Sequence, residues 1–416
     1  MRAKKQSSHI LMSTLGRSHF IVAADALIRQ GVGLDLLQGW VPHNLKSWTV
    51  KVCAWIEKRK SFVVGLSKRS TPALLGHIIT EPLPELLQTV WFLSFGKIGE
   101  KCRHFGVRLA FKLHGKMTCK HLKDYSIFHV KSGLGQGGAI KKAKQLGLKV
   151  VVDHCTLHPY FMGKSGGRVG YREAWSFWEL VLKDCAEADL LIVGSEFIKE
   201  TFMAQGFEVD KIRVIPLGIL NQFFGVKTQY AKTGPLQLIY TGSWGYQKGC
   251  PFLVDALEHL VKNGIACNLT VVGGYRQTDE SYCRAIKQQL PIHFIGHVPQ
   301  DDLRHFLSKA DIYIFPSLSD GFGVSAIEAM GAGLCMVTTR ESSICIEEGK
   351  TGYYIPAKSG VAIADRIAYL DQHRDEIEYL GRAAAEMVRT TYTWEKYAIG
   401  VEKVYQELLA DNSKKI

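Results

Sequence analysis

Eleven short apolar runs, separated by stretches of helical period, restrict the fold of this chain more than any other feature. They are HILMST, SIFHVK, LKVVVD, LLIVGS and IRVIPLG in the first half, then LQLIYTG, CNLTVVGG, IHFIG, DIYIFPS, LCMVTT and GYYIPA in the second. Strands alternating with helical segments of roughly 10–15 residues make βαβ crossovers and parallel sheets. The pattern lapses in GILNQFFGVKTQYAKTGP and restarts near residue 235. The expected fold class is therefore α/β, with two Rossmann-like domains facing a cleft: an N-terminal unit over 1–215 and a C-terminal unit over 216–390 that begins with the linker. The tail, 391–416, spaces Tyr397, Val401, Val404, Tyr405 and Leu408 as one helical face, which can pack back across both domains. A chain of 416 residues is long enough for two cores of ordinary size.

The formal charge of +13 is uneven: residues 1–130 hold 20 Lys and Arg against 7 Asp and Glu, and the remainder is balanced at 32 against 32. A basic first third suits an anionic partner, such as an acidic lipid leaflet or a phosphorylated acceptor, or serves only as a solvated face. Nucleic acid is disfavoured, because no basic-aromatic recognition module accompanies the charge. Within that third, KIGEKCRHFGVRLAFKLHGKMTCK sets Ile98, Cys102, Phe105, Leu109 and Leu113 on one stripe flanked by Lys101, Arg108, Lys112 and Lys116. Such a helix lies on a membrane surface or packs on its own domain, and Gly106 and Gly115 argue against a long continuous one. No apolar run reaches the roughly 18–20 residues of a spanning helix, so the expectation is a cytoplasmic chain, at most peripheral to a membrane. The ten cysteines stand singly, without metal-ligand or disulfide spacing.

The chemistry concentrates in PSLSDGFGVSAIEAMGAG, residues 316–333. DIYIFPS is a strand and VSAIEAMGAG opens a helix, so LSDGFG is a strand-to-helix loop at a sheet's C-terminal edge, where open α/β sheets bind ligands. The helix N-terminus and the turn of Gly321, Phe322 and Gly323 offer N–H groups to a phosphate. Asp320 and Glu328 flank that turn, and carboxylates accept hydrogen bonds from vicinal hydroxyls. A pyrophosphate with a sugar at each end, a nucleotide sugar, would use every part. A second loop, YTGSWGYQKG at 240–249, carries Lys248, placed to neutralise a departing pyrophosphate.

These motifs resemble the retaining glycosyltransferases of the GT-B fold, family four. The resemblance is carried by GS and KG at 242–249, FIGHVPQDDLRHFLSKADIYIFPS at 294–317, DGFGVSAIEAMGAG and EEGKTGYYIP, and more loosely by ADLLIVGSEFIKETFMAQG and KIRVIPLGI. It implies that Asp320 holds the transferred sugar, that Glu328 binds the ribose, and that Gly321, Phe322 and Gly323 contact sugar or phosphate. Lys248 matches the family's pyrophosphate lysine, whereas Ser243 stands where an arginine partner is usual, and Asp320 where Glu is commoner. Val298 would border the nucleobase, and the turn at Gly16 would face the phosphates. A histidine from VVVDHCTLHPYF would lie near the reacting centre. His158 is favoured over His154, with a purely structural imidazole as the alternative. The resemblance further implies a donor that is itself the nucleotide-diphosphate sugar, no separate cofactor, no metal, and a saccharide or lipid-linked acceptor.

Two rival readings come from the residues. SIFHVKSGLGQGGAIKKAKQLGLKVVVD fits G-x-G-x-x-G at Gly133, Gly135 and Gly138, with Asp153 ending the next strand, as in an NAD-dependent enzyme. A non-catalytic nucleotide-sugar-binding partner subunit is compatible with Ser243 and the basic first third.

Overall fold

The computed structural model describes residues 9–16, 18–41, 71–95, 99–164, 175–275 and 279–413. Strands β1 (Ile10–Ser13), β2 (Leu34–Gln38), β3 (Ile78–Thr80), β4 (Ile127–Lys131), β5 (Lys149–His154), β6 (Leu190–Val193) and β7 (Ile212–Val214) form one sheet in the order 3-2-1-4-5-6-7. Strands β8 (Leu236–Thr241), β9 (Cys267–Val272), β10 (Ile292–Gly296), β11 (Ile312–Phe315), β12 (Cys335–Thr338) and β13 (Gly352–Tyr354) form a second in the order 10-9-8-11-12-13. Every pairing between these strands is parallel. The physical cause is visible in the runs themselves: all four residues of β1, β6, β11 and β12 are buried, which only strands covered on both faces achieve. Each sheet reverses its strand order once, between β1 and β4 and between β8 and β11, and those reversals open the crevices in which ligands bind.

Two strands escaped the sequence reading. LDLLQ (β2) carries two polar residues, and IIT (β3) is a half-exposed edge of three residues. The expected break at Gly106 and Gly115 does not occur, because the helix Glu100–Thr118 runs unbroken. Both positions are instead close contacts: a Cβ on Gly115 would lie 1.6 Å from the Gln136 carbonyl oxygen, and one on Gly106 would lie 2.1 Å from the Trp91 ring. Of the expected stripe, Ile98 lies outside the described residues, while Phe105 and Leu109 are exposed rather than packed on the domain.

The tail forms the helix Trp394–Ser413, whose Tyr397, Val401, Val404, Tyr405 and Leu408 are all buried. They join a core that is continuous from Phe20 and Ile127 of the first domain to the apolar face of the second. The helix is also tied by polar contacts to the first sheet. The Tyr397 hydroxyl donates to Asp153 Oδ2 at 2.5 Å, and the Tyr405 hydroxyl meets His129 Nδ1 at 2.7 Å.

Candidate active site

The β11 loop and the β8 loop meet across the crevice of the second sheet. Lys248 Nζ lies 2.6 Å from Asp320 Oδ2, an ion pair within the chain. The other oxygen, Asp320 Oδ1, accepts the Gly321 N–H at 2.8 Å, so one amide of the expected phosphate cradle is turned onto the carboxylate. Asp320 is also fixed through its backbone: its N–H donates to the Glu341 carbonyl, and the Ser343 hydroxyl donates to its own carbonyl. A ligand carrying phosphate and hydroxyls would find both halves of this pair in reach, the ammonium for the phosphate and the carboxylate for the hydroxyls.

Glu328 sits one turn inside the helix Val324–Ala332 and is only 7% exposed. Burial pushes its carboxyl up to about 7, opposed by the amide of Gln300, whose Nε2 donates to Oε1 at 3.0 Å. Gln300 opens the helix Gln300–Lys309 that follows the β10 loop, so that loop and Glu328 are joined by one hydrogen bond. Sequence reasoning did not find Gln300, because nothing in VPQDDL marks which of its polar residues faces the cleft. Val298, in the same loop, is half-buried against the core. The Ser243 side chain is exposed, while its carbonyl accepts the Tyr240 hydroxyl at 2.9 Å, which shapes the β8 loop without supplying a cation.

The DGFG turn is also where the two domains touch. A Cβ on Gly321 would lie 2.1 Å from the Cys155 carbonyl oxygen, so only glycine admits the loop after β5 at this distance. Phe322 packs on Gly194 and Tyr392 and lines a cavity of about 300 Å³ between the domains together with Arg340 and Met387. On the facing wall Gly16 holds φ +66°, and Glu85 approaches both it and Gly39; Glu85 Oε2 also accepts the Trp40 N–H at 2.9 Å.

His158 does not sit with these groups. Its ring stands edge-on to Phe202 and Phe207, its Nδ1 accepts the Tyr160 N–H at 3.2 Å, and burial lowers its pKa to about 4. His154 is hydrogen-bonded at both nitrogens, to Ser132 and Thr156, and is likewise lowered to about 4 by burial. Nearer the Gly321 contact lies a cluster that the sequence did not announce, built of His19, Asp153 and Cys155. His19 Nε2 is 3.3 Å and Cys155 Sγ 3.2 Å from the Asp153 carboxylate. Burial pushes the Asp153 carboxyl up, but His19, His129 and the Tyr397 hydroxyl outweigh it and hold the group ionised. Such a His, Cys and Asp set could meet a metal ion. The sulfur lies 3.8 Å from one ring nitrogen of His19 and 3.7 Å from the other, and the Tyr397 hydroxyl donates to the same Asp153 carboxylate.

The glycine turn of the NAD reading is occupied by the chain itself. Gly133 and Gly135 donate their N–H groups to Asp184 Oδ2 at 2.6 and 2.8 Å, and Gln136 donates to Oδ1 at 2.9 Å. Asp184 is fully buried, so an internal carboxylate takes the place that a pyrophosphate would need. Asp153, the expected ribose acid of that reading, is sealed under Tyr397. The dinucleotide reading is therefore set aside on structural grounds.

Comparison with known proteins bears on the second domain and on the fold. Residues 235–373 match the family described as Glycosyl transferases group 1. Among curated proteins, the amylovoran biosynthesis glycosyltransferase AmsK of Erwinia amylovora is 27% identical over 218 residues, covering 50% of this chain and 53% of that protein. The chain thus spans about half the length of the curated relatives it matches. Among solved structures, the sucrose-phosphate synthase of Thermosynechococcus elongatus superposes with a TM-score of 0.67 at 17% identity, covering 97% of this chain and 100% of that one. HepE of Anabaena, solved with UDP and glucose, gives 0.64 at 13% identity, with 96% and 100% covered. The architecture is accordingly the GT-B fold.

Proposed function

We propose that this protein is a retaining glycosyltransferase of family four that moves a sugar from a nucleotide-diphosphate sugar to a saccharide or lipid-linked acceptor in glycan or polysaccharide synthesis. The observation that carries the reading is the Lys248–Asp320 pair in the loops at the mouth of the second sheet, with the buried Glu328 held by Gln300 in the helix that follows the DGFG turn. The ribose hydroxyls would bind the ionised Glu328, held by Gln300. The pyrophosphate would draw Lys248 from Asp320 and free that carboxylate for the hydroxyls of the transferred sugar.

Departure of the nucleoside diphosphate breaks its bond to the anomeric carbon, and the acceptor oxygen forms a new bond on the same face. The acceptor's proton passes to the leaving phosphate oxygen. Lys248 would stabilise the charge that develops there, without a separate cofactor or a metal being needed for that role. The turn at Gly16 would face the donor phosphates, and the N-terminal wall beside it, at Glu85, would hold the acceptor. The non-catalytic alternative shares the same donor site and differs only in turnover.

The reading is tested by incubating the protein with UDP- and GDP-sugars and an acceptor panel, following release of nucleoside diphosphate, and determining the product's anomeric configuration by NMR. Release that depends on an acceptor, with retained configuration and loss in Glu328→Ala, is the expected result. Binding of a nucleotide sugar without any transfer would favour the partner-subunit reading, and inverted product would overturn the mechanism.

A further inference from the structure

Among the described residues, the helices Leu83–Phe95 and Glu100–Thr118, packed together on the N-terminal domain, leave an apolar face uncovered. Leu86, Val90 and Leu93 follow one another at intervals of four and three residues, so they stand along one side of the first helix, and they are 58%, 52% and 71% exposed. On the second helix Phe105 is 46% exposed, and Trp91 bridges the two, with its ring 5.5 Å from Phe105 and its Nε1 donating to the Cys102 carbonyl at 2.8 Å. Single exposed apolar residues are ordinary, but a run of them along two packed helices marks an interaction surface. The described charge beside it has one sign. Lys101, Lys112 and Lys116 are exposed on the Phe105 side of the second helix, while the acid of the first, Glu85, is turned into the cleft mouth against Gly39 and the Trp40 N–H.

We propose that this face docks on a bilayer containing anionic lipid, with Leu86, Val90, Leu93 and Phe105 in the interface and the lysines on lipid phosphates. A second copy of the chain would cover the leucines equally well, but it would bring two rows of like cations together; an anionic surface satisfies both the apolar and the basic residues. The placement also has a functional consequence. Glu85 stands at the cleft and Leu93 lies two turns further along the same helix, about 12 Å away at 1.5 Å per residue. An acceptor carried by a lipid would thus reach the wall at Glu85 with its headgroup while its chain stays in the membrane. That assignment of acceptor class rests on the glycosyl-transfer reading, whereas the docking does not.

The test is co-sedimentation of the full chain with vesicles of phosphatidylcholine alone or with one third phosphatidylglycerol, without donor or acceptor. Retention on the anionic vesicles alone, falling as salt rises, is expected. The set Leu86→Ser, Val90→Ser and Leu93→Ser should weaken it at least tenfold. Lys112→Gln and Lys116→Gln should each cost about fivefold, the equivalent of about 1 kcal/mol per charge near the surface. Circular dichroism spectra and melts check that the variants are folded, and the lysine variants keep the test sound if the triple variant is not. The proposal is overturned if wild type is not retained at low salt, if neither set reduces retention, or if light scattering finds a dimer that the serine set dissociates. Because no transfer is measured, failure of docking and failure of the enzymatic reading are read separately.

Discussion

Donor binding should weaken about tenfold between pH 8 and pH 6, and Glu328 is the group responsible. Its carboxyl titrates at about 7 because it is buried with only the Gln300 amide for company. The ionised share therefore falls from roughly nine-tenths at pH 8 to roughly one-tenth at pH 6, and if only the carboxylate can accept both ribose hydroxyls, affinity falls in the same proportion, about 1.4 kcal/mol. Calorimetry should use a nucleotide sugar, whose pyrophosphate has no group titrating in this range, and should compare two buffers of different ionisation enthalpy. Near pH 6.5 binding should release a fraction of a proton, and Glu328→Gln should bind weakly with a flat profile. A flat wild-type profile, or a slope that survives in the Gln variant, would refute the reasoning. The same displacement acts on stability with the opposite sense. The unfolded carboxyl ionises near 4.5 but the folded one only near 7, so this group imposes no penalty below 4.5 and its full penalty, at most about 3 kcal/mol, above 7. Glu328→Gln should therefore raise Tm at pH 8 and leave it nearly unchanged at pH 4, which marks the acid as a site that gives up stability for binding.

Lys248→Ala should lower kcat by about 10²–10³ with a smaller change in donor affinity, because the ammonium acts on charge that appears as the phosphate departs; an unchanged kcat would dismiss it from the chemistry. Gly321→Ala places a Cβ 2.1 Å from the Cys155 carbonyl oxygen, so the turn must shift and transfer should collapse, with nucleotide-sugar binding weakened as well, measured by calorimetry and product release on one preparation; unchanged transfer would mean that this close approach is dispensable. Tyr397→Phe removes the hydroxyl that donates to the buried Asp153 and should cost about 1–3 kcal/mol in urea unfolding, with faster proteolysis of the C-terminal helix; a loss below about 0.5 kcal/mol would mean that His19 and Cys155 alone satisfy the carboxylate.

What the sequence determined by itself is local. Val- and Ile-rich runs separated by helical periods dictate parallel strands, and the restart near residue 235 matches a second sheet that opens at Leu236. The Asp320–Glu328 spacing across a glycine turn placed two acids at a sheet edge, and Lys248 in the β8 loop proved to be in contact with one of them. What only the tertiary structure decided is which distant group answers each of these. Gly133 and Gly135 read as a nucleotide turn until Asp184, on a helix about fifty residues away, fills their N–H groups. His158 reads as a cleft residue until Phe202 and Phe207 enclose it, and Asp153 reads as a ribose acid until Tyr397, 244 residues later, caps it. Gln300 acquires its role only from Glu328. A periodic pattern states which face of an element is buried, because that follows from geometry within a few residues. It does not state the partner, because hydrogen bonds and close contacts between remote segments are fixed only when the sheets and the crossing helix have been packed together.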